Sequence, residues 1–336
     1  MSNPLLDEII ARLKRAQRIL IFSHVKPDGD AFGSALGLMW LLRTQDHSKT
    51  VEVSFADPVS VGFRFLPGHE EVDNRPVDGH DLVVALDGSD SNRYGDHFSD
   101  LLKAKQTAGA KAEEQQQEHL PFMIGIDHHK TNTGFADLNW VDAGYVATAQ
   151  MIYHLAHYAD WSITPEAATC LATGCVTDTN AFSTDHTTPQ VLENVASLMR
   201  QGASLSTIIH HSMKRTAADV ALWGRILSTL QIENGVAWAV SRIADRAALK
   251  ANVGDGGGIS NFLQNIIGVH IGILFVEIHE RKTRISMRCA KQYDVSQLAA
   301  SLEGGGHKQA AGATLKMRLD KAIPLVIEGA KAIQPI

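Results

Sequence analysis

Residues 19–34 read ILIFSHVKPDGDAFGS and have the pattern of a strand, a polar loop and a helix in direct succession. The apolar run Ile19–Phe22 is short and rich in β-branched residues, which is typical of a buried strand in a parallel sheet. Small residues then open a predicted helix over Ala31–Arg43 and allow close backbone approach. The loop between strand and helix carries three side chains that bind hard metal ions: His24, Asp28 and Asp30.

Two more apolar runs end in the same kind of side chain. Leu82–Leu86 is followed by Asp87, and Phe122–Ile126 is followed by Asp127-His128-His129. In open α/β sheets, ligands gather beyond the carboxyl ends of the strands, so we expect these clusters to converge on one rim. Asp178 forms a fourth cluster of the same chemistry. Carboxylates crowded together repel strongly without cations, and the sequence therefore predicts a metal site.

Each cluster also has a simpler interpretation. A lone Asp after a strand is more often a turn former or a helix N-cap than a ligand. The pair His128-His129 alone is compatible with two solvated imidazoles. Because four clusters share one chemistry and three share one structural context, we favour the metal site for the constellation.

The composition is typical of a soluble globular protein with two domains. The chain has 336 residues, of which 44% are hydrophobic and 20% are charged. No apolar stretch is long enough to span a membrane, and the first residues do not resemble a signal peptide. The three cysteines have no CxxC spacing, which favours reduced, buried thiols. These features predict a cytoplasmic protein.

The net charge of −6 is unevenly distributed. Residues 231–336 carry 13 Lys and Arg against 9 Asp and Glu, a net charge of +4, and the rest of the chain carries 18 against 28, a net charge of −10. An acidic first part suits a metal site, and a basic second part suits an anionic substrate. A dense basic stripe that would grip long nucleic acid is lacking, so we expect a short substrate.

Further elements follow from periodicity and from start signals. Residues 103–119 are polar and low in complexity and are interpreted as an exposed helical or mobile insertion. A second sheet is expected from Val236–Ser241 onward, with a hairpin formed by Val269–Ile278 and Thr283–Cys289. The other predicted segments are the strand Val51–Phe55 and the helices Leu5–Arg15, Val146–His157, Thr164–Val176, Pro189–Arg200 and Leu205–Leu230, the last two being a plausible connector between domains.

Two glycine clusters lie in the second part of the chain. Gly254–Gly258 is more simply a flexible helix entry than a phosphate loop. Gly304–Gly306 precedes a predicted helix start, where backbone N–H groups and the helix dipole could bind an anion. The neighbouring Arg288, His307 and Lys308 strengthen this interpretation.

The clusters together resemble the DHH phosphoesterase superfamily. The matching motifs are His24-Val-Lys-Pro-Asp28-Gly-Asp30, Leu86-Asp87, Asp127-His128-His129 and Thr177-Asp178-Thr179. Ser286-Met-Arg288 and the segment from Gly304 to Gly312 resemble the associated DHHA1 domain. The resemblance covers nearly the whole chain and is greatest to the bacterial oligoribonuclease (nanoRNase) and pAp phosphatase branch. Relatives commonly have Gly after Thr-Asp-Thr, where this chain has Asn180.

The resemblance implies an α/β fold of two domains. A mostly parallel-sheet DHH domain with flanking helices is expected over residues 1–203, and a smaller α/β DHHA1 domain over residues 231–336. A helical linker over 204–230 would join them, with the active site in the cleft between the domains.

The resemblance also implies two divalent ions, for which mixed Asp and His ligation favours Mn²⁺ over Mg²⁺. His24, Asp28 and Asp87 would hold one ion, and Asp30, Asp87, His128 and Asp178 the other, with Asp87 bridging and a hydroxide between the ions. Asp127 would orient His128 or its neighbours, and His129 would face the substrate phosphate. The residues expected to bind the substrate are Arg288, Gly305, Gly306 and His307.

The implied function is hydrolysis of short oligoribonucleotides, of about two to five nucleotides, to mononucleotides, together with phosphatase activity on the 3′,5′-bisphosphate nucleotide pAp. One alternative is a phosphodiesterase for cyclic or linear dinucleotides such as c-di-AMP and pApA. A non-catalytic nucleotide sensor is an alternative of a different class, against which the complete ligand set argues. Pyrophosphatase or exopolyphosphatase activity fits the Gly-Gly-Gly-His module poorly, and a processive exonuclease fits the acidic charge poorly. The sequence leaves open the preferred substrate, cleavage polarity, resident metal and a possible homodimer.

Overall fold

The structure of the chain is a computed structural model that describes residues 2–110, 120–212, 214–251 and 258–336. The chain divides into two compact units, Met1–Lys214 and Arg215–Ile336. Each unit has its own sheet and its own apolar cores. The predicted α/β class, with a parallel sheet in the first part and a second sheet after it, is confirmed.

The sheet of the first unit has five strands, and every neighbouring pair is parallel. The strands are β1 (Arg18–Phe22), β2 (Thr50–Ser54), β3 (Leu82–Leu86), β4 (Phe122–Asp127) and β5 (Leu138–Val141), in the spatial order β2-β1-β3-β4-β5. Four of them match predicted runs to within a residue or two, and β5 was not predicted. All carboxyl ends therefore lie at one edge of the sheet.

Helices cover both faces of this sheet, which explains why its strands are apolar on both sides. Ile19 and Ile21 belong to one core, and Leu20 and Phe22 belong to the core on the opposite face. The second face is covered by α3 (Asp96–Ala110). The first core is built with α1 (Pro4–Arg15), α2 (Gly29–Gln45), α4 (Thr148–Tyr158), α5 (Pro165–Asp178), α6 (Pro189–Arg200) and α7 (Leu205–Ser212).

The helices α2 and α5 pack at unusually close range because glycines face each other. A Cβ atom on Gly33 would lie 2.6 Å from the carbonyl oxygen of Cys170, and one on Gly174 would lie 2.5 Å from Oδ1 of Asp30. Larger residues at these positions would push the helices apart. The close approach brings the carboxyl end of α5, with Asp178, to the start of α2.

The second unit contains a six-stranded mixed sheet. Its strands are β6 (Gln231–Glu233), β7 (Val236–Ser241), β8 (Ile271–His279), β9 (Lys282–Cys289), β10 (Gly305–His307) and β11 (Ala310–Leu315), in the order β10-β11-β9-β8-β7-β6. Only the β7–β8 pair is parallel. The helices are α8 (Ala217–Leu227), α9 (Ile243–Leu249), α10 (Ile259–Gln264), α11 (Ser296–Ser301) and α12 (Leu319–Lys331). The predicted hairpin is confirmed as β8 and β9, and β6 precedes the strand from which the sheet was expected to begin.

The predicted helical segment Leu205–Leu230 is two helices, α7 and α8. Ile208 packs in a core of the first unit, whereas Leu222 and Ile226 pack in a core of the second. A capping box starts α8: the hydroxyl of Thr216 accepts from the backbone of Asp219, whose carboxylate accepts from the backbone of Thr216. Such a box marks the start of a new helix, so one continuous helix was the wrong prediction.

The prediction that Gly304–Gly306 precede a helix is also wrong. The glycines lead into β10, which pairs antiparallel with β11. Gly306 has a φ of +138°, and a side chain on Gly304 would collide with the backbone of Gly312. These glycines are therefore needed for a tight β-ribbon, and the helix-dipole argument for anion binding does not apply.

Parts of two predicted segments lie outside the described residues. These are residues 111–119 of the polar segment and residues 252–257, which include most of the first glycine cluster. The described part of the polar segment continues α3. Among the described residues, we find no helix with the length and apolar character needed to cross a membrane.

Candidate metal centre

The carboxyl edge of the five-stranded sheet gathers the predicted ligand clusters. His24 follows β1, Asp87 follows β3, and Asp127 ends β4. Asp28 caps α2, because its Oδ1 atom accepts from the backbone nitrogens of Asp30 and Ala31, each at 3.1 Å. Asp28 is thus the N-cap of α2, which does not exclude a second role for the same carboxylate.

Three overlapping groups of side chains have ligand atoms within 4.8 Å of one another. Asp87 and His128 each belong to two groups, so the groups are continuous. All six predicted metal ligands are brought together in them. The groups are His24, Asp28 and Asp87; Asp30, His128 and Asp178; and Asp87, His128 and His129.

Asp87 lies between two imidazoles and presents a different oxygen to each. Its Oδ2 atom is 3.5 Å from Nε2 of His24, and its Oδ1 atom is 3.6 Å from Nε2 of His128. The residue is 2% exposed and has a left-handed backbone conformation with φ of 60°. Backbone strain of this kind concentrates at functional sites.

Backbone carbonyl groups orient both imidazoles toward the carboxylates. Nδ1 of His24 lies 2.9 Å from the carbonyl oxygen of Val25, and His128 hydrogen-bonds to the backbone of Tyr145. In each ring, donation to the carbonyl leaves the lone pair on Nε2, which is how metal-bound histidines are usually held. Nε2 of His128 is buried and has no hydrogen-bond partner in the described structure. An unsatisfied buried nitrogen facing carboxylates fits a cation ligand.

The carboxyl groups of the centre are too buried and too close together to ionise freely. Burial, followed by repulsion from Asp30, raises the pKa of Asp87 and of Asp178 well above the usual range of aspartate. Burial also raises the pKa of Asp30. Burial lowers the pKa of the His128 imidazole and keeps it neutral. A cation among these groups would favour the ionised form of the carboxyl groups and offset the unfavourable burial of their charge. The carboxylates and imidazoles therefore fit a divalent metal ion.

Asp127 contacts the imidazole of His129, a member of one of the three groups. Its Oδ1 atom is 2.7 Å from Nδ1 of His129, and its Oδ2 atom accepts from Asn132 at 2.8 Å. Burial raises the pKa of the Asp127 carboxyl, but the hydrogen bonds from His129 and Asn132 outweigh burial and bring the pKa below its usual value. Asp127 is therefore an anion that orients the ring of His129.

The start of α4 contacts two of the buried carboxylates, and the sequence analysis missed it. The backbone nitrogens of Thr148 and Ala149 donate to Oδ2 and Oδ1 of Asp30, at 2.6 and 2.9 Å. The hydroxyl of Thr148 donates to Oδ1 of Asp87 at 3.0 Å. The predicted helix started at Val146, which placed Thr148 inside the helix and hid its position at the first turn. A hydroxyl residue near a helix start was the available signal.

Arg93 is a second residue that the sequence analysis missed. Its carbonyl oxygen accepts from the backbone nitrogen of Val25, and its Nη2 atom lies 3.4 Å from Nδ1 of His24. Within the described ranges, no carboxylate lies within ion-pair distance of this guanidinium. A guanidinium without a carboxylate partner, close to the carboxylates of the centre, is available to bind an anionic ligand. The sequence feature that could have pointed to Arg93 is the Asp90-Ser-Asn-Arg93 turn that follows β3.

The residue that departs from the family pattern, Asn180, adopts the conformation that glycine favours. Its φ is 47°, and Ala181 and Phe182 continue the left-handed turn with φ of 55° and 65°. The hydroxyl of Thr179 accepts from the backbone nitrogen of Phe182 and closes the turn. Asparagine enters this region more readily than most residues, so Asn180 is compatible with a position where the resemblance led us to expect glycine.

The residues expected to bind substrate lie together at one end of the second sheet. His307 pairs with Ala310, which pairs with Arg288, so the three side chains share a row and a face. Nη1 of Arg288 donates to the carbonyl oxygen of Met287 at 3.0 Å, and burial lowers the pKa of the guanidinium. Gly305 and Gly306 form the exposed edge strand beside this row. The second unit thus presents a cation and an imidazole on one face.

Comparison with known proteins identifies both parts of the chain. The DHH family, N-terminal domain, matches residues 18–175, and the DHHA1 domain matches residues 235–332. The chain is 33% identical over 319 residues to a protein of Thermus thermophilus named bifunctional oligoribonuclease and PAP phosphatase NrnA, covering 93% of this chain and 89% of that protein. A Bacillus subtilis protein of the same name is 28% identical, covering 92% of each chain.

A solved structure supports the fold over the full length. The crystal structure of an exopolyphosphatase-related protein from Bacteroides fragilis superposes with a TM-score of 0.82 at 23% identity. The alignment covers 98% of this chain and 97% of that one.

These matches confirm the predicted hydrolase that acts on phosphoester bonds. The Asp and His groups at the sheet edge are groups that could bind divalent metal. The chain belongs to the DHH family and carries the DHHA1 domain that follows the DHH domain in the sequence.

Proposed function

We propose that the chain hydrolyses short oligoribonucleotides, of about two to five nucleotides, to mononucleotides and removes a phosphate from pAp. The observation that carries the proposal is the position of Asp87, whose two oxygens face imidazoles of two different ligand groups. A shared carboxylate between two ligand groups is suited to a two-metal phosphoesterase. The names of the relatives, oligoribonuclease and PAP phosphatase, support the choice of substrate.

The ligand groups support two ions. His24, Asp28 and Asp87 would hold one, and the other would be held by Asp30, Asp87, His128 and Asp178. The two imidazoles favour Mn²⁺ over Mg²⁺, which prefers oxygen ligands. Divalent ions held by these residues would supply a lowered pKa for an attacking water and neutralisation of charge on the phosphate.

The neighbouring residues then bind and orient the phosphate. Asp127 stays ionised and accepts from Nδ1 of His129, which fixes the ring, and an imidazolium at this position would donate from Nε2 to a phosphoryl oxygen. The side chain of His129 is 37% exposed, so a substrate can reach it. Arg93, beside His24, is suited to pair with another phosphoryl oxygen. These contacts would position the reacting phosphate without metal ligation.

We assign binding of a substrate phosphate or base to the second unit. Arg288 and His307 share a row on one face of the sheet, and the exposed ribbon of Gly305 and Gly306 lies beside them. The guanidinium can bind phosphate in a bidentate manner, and the imidazole can donate a further hydrogen bond. The net charge of +4 over residues 231–336 is consistent with an anionic ligand of few phosphates.

The test is a substrate panel with purified protein and Mn²⁺. The panel contains pAp, pApA, c-di-AMP, a short RNA and a long RNA, and Asp87→Asn is the inactive control. We expect turnover of pAp, pApA and the short RNA, and little turnover of the long RNA. Selective cleavage of c-di-AMP would favour the dinucleotide phosphodiesterase, and no turnover with tight nucleotide binding would favour a sensor.

A further inference from the structure

Thr148 hydrogen-bonds to two of the predicted metal ligands, Asp30 and Asp87. Its backbone nitrogen donates to Oδ2 of Asp30 at 2.6 Å, and its hydroxyl donates to Oδ1 of Asp87 at 3.0 Å. Asp30 is a proposed ligand of one ion, and Asp87 is the proposed ligand shared by both ions. Thr148 itself is fully buried. Thr148 therefore acts on the metal centre through its hydrogen bonds to Asp30 and Asp87.

The backbone part of this connection also fixes Thr148. The preceding residue, Ala147, has no side chain that could cap α4. Asp30 takes that place, because its two oxygens accept from the first amides of the helix, on Thr148 and Ala149. A buried carboxylate at a helix N-terminus is stabilised by the free amides and by the helix dipole. The hydroxyl of Thr148 is thus held in place by Asp30, a proposed ligand of one ion, and is directed at Asp87, the proposed shared ligand.

The hydroxyl decides how Asp87 presents its carboxylate. The terminal torsion of an aspartate is soft, so its two oxygens do not keep their directions without partners. Donation from Thr148 holds Oδ1 on the side of His128, which leaves Oδ2 directed to His24 at 3.5 Å. A carboxylate that serves two ions needs this separation of its oxygens.

We propose that Thr148 is a positioning residue of the metal centre, which sets the orientation of Asp87 so that each oxygen meets one ion. The inference rests on the proposed function in one respect, the assignment of Asp87 as the shared ligand. Groups that hydrogen-bond to metal ligands commonly change metal affinity or activity by about 10–100-fold when they are lost. We expect an effect of that size on the weaker of the two ions.

The test uses variants that separate the hydroxyl from the shape of the side chain. Thr148→Ser and Thr148→Ala both lose the methyl group and differ only in the hydroxyl. Thr148→Val keeps the shape and loses the hydroxyl. Thr173→Val is the matched control, since Thr173 is also fully buried in the first unit and its hydroxyl donates to the carbonyl of Thr169. All four are prepared in the full chain and stripped of metal.

The measurement is a calorimetric titration with Mn²⁺ alone, followed by steady-state kinetics on pApA. We expect Thr148→Ser to bind two ions within a few-fold of the parent affinity. In Thr148→Ala and Thr148→Val, affinity for the second ion should fall about 10–100-fold and kcat should fall with little change in KM. Thr173→Val should lower only the melting temperature.

The two possible failures are distinguishable because the titration needs no substrate. Equal Mn²⁺ affinities in Thr148→Ser and Thr148→Ala would overturn the role of Thr148 and leave the proposed function standing. The Ser and Ala pair decides this point even where Thr148→Val does not fold. A parent chain that binds two ions but cleaves none of the nucleotides would overturn the proposed function and leave the inference on Thr148 intact.

Discussion

Nε2 of His128 lies 3.6 Å from Oδ1 of Asp87, buried and without a hydrogen-bond partner in the described structure. A nitrogen with this tautomer has a lone pair directed at a carboxylate, which is repulsive unless a cation lies between them. On the other side of the carboxylate, Oδ2 of Asp87 lies 3.5 Å from Nε2 of His24. The proposal that the centre binds two ions therefore depends on Asp87 more than on any other side chain.

Replacement of Asp87 should be the most damaging single change in the centre. We expect Asp87→Asn to lower kcat by more than about a hundredfold, because a shared ligand matters more than the groups that orient it. Bound Mn²⁺, measured by elemental analysis after dialysis, should fall below two per chain. Asp81→Asn is a suitable control, since Asp81 accepts from the backbone of Gln17 and Arg18 away from the ligand groups. Two ions per chain in Asp87→Asn would contradict the shared-ligand assignment.

The metal-free protein should lose stability as pH rises. Burial and neighbouring carboxylates raise the folded-state pKa of Asp87 and Asp178 above the unfolded value of about 3.9. Between those pKa values the folded state binds more protons than the unfolded state, so the free energy of unfolding decreases with increasing pH. The stabilisation by the protonated carboxyl groups is complete below about pH 4, and it is lost as the pH rises through their raised folded-state pKa values.

Melting curves with and without Mn²⁺ measure this effect. We expect the ion to raise the melting temperature more at pH 8 than at pH 5, since ionised carboxylates bind it and protonated ones do not. The variant Asp87→Asn should show a smaller difference between the two pH values. A Mn²⁺-induced shift that is the same at both pH values would contradict the raised pKa of these carboxyl groups.

Arg288 should affect substrate binding and leave metal binding unchanged. Removal of a hydrogen bond to a charged group costs about 1.5–3 kcal/mol, so Arg288→Ala should lower kcat/KM for pApA by about 10–100-fold. Arg284→Ala is the comparison, because Arg284 lies on the same strand and face, four residues away. Parent-like kcat/KM in Arg288→Ala, or a loss of bound metal in that variant, would refute its assignment to substrate binding.

Much of the first unit could be predicted because its signals are local. Strands buried on both faces are continuous apolar runs, and Leu82–Leu86 shows this directly. The ligands follow such runs, so their convergence follows from parallel topology. The strand β5 escaped prediction because Leu138–Val141 is only four residues long, mixes polar with apolar side chains and pairs at the sheet edge.

The remaining features depend on contacts between distant residues. The Gly304–Gly306 segment has the composition of an anion-binding loop, and only its pairing with β11 makes it a β-ribbon. Thr148 lies more than 60 residues from Asp87 and more than 100 from Asp30, so its two partners cannot be read from local sequence. Periodicity describes each element separately and carries no information on such pairs.

The proposal that the chain hydrolyses short RNA is best tested by measuring kcat/KM against RNA length, at two salt concentrations with Mn²⁺. Two ions in the first unit and a small basic face in the second unit can neutralise few phosphates, so kcat/KM should be highest for the shortest RNAs and fall steeply with length. The slope of log affinity against log salt should be shallow, about −2 or smaller in magnitude. Equal or better kcat/KM on a long strand, with a steep salt dependence, would contradict the short-substrate hydrolase and favour a processive exonuclease.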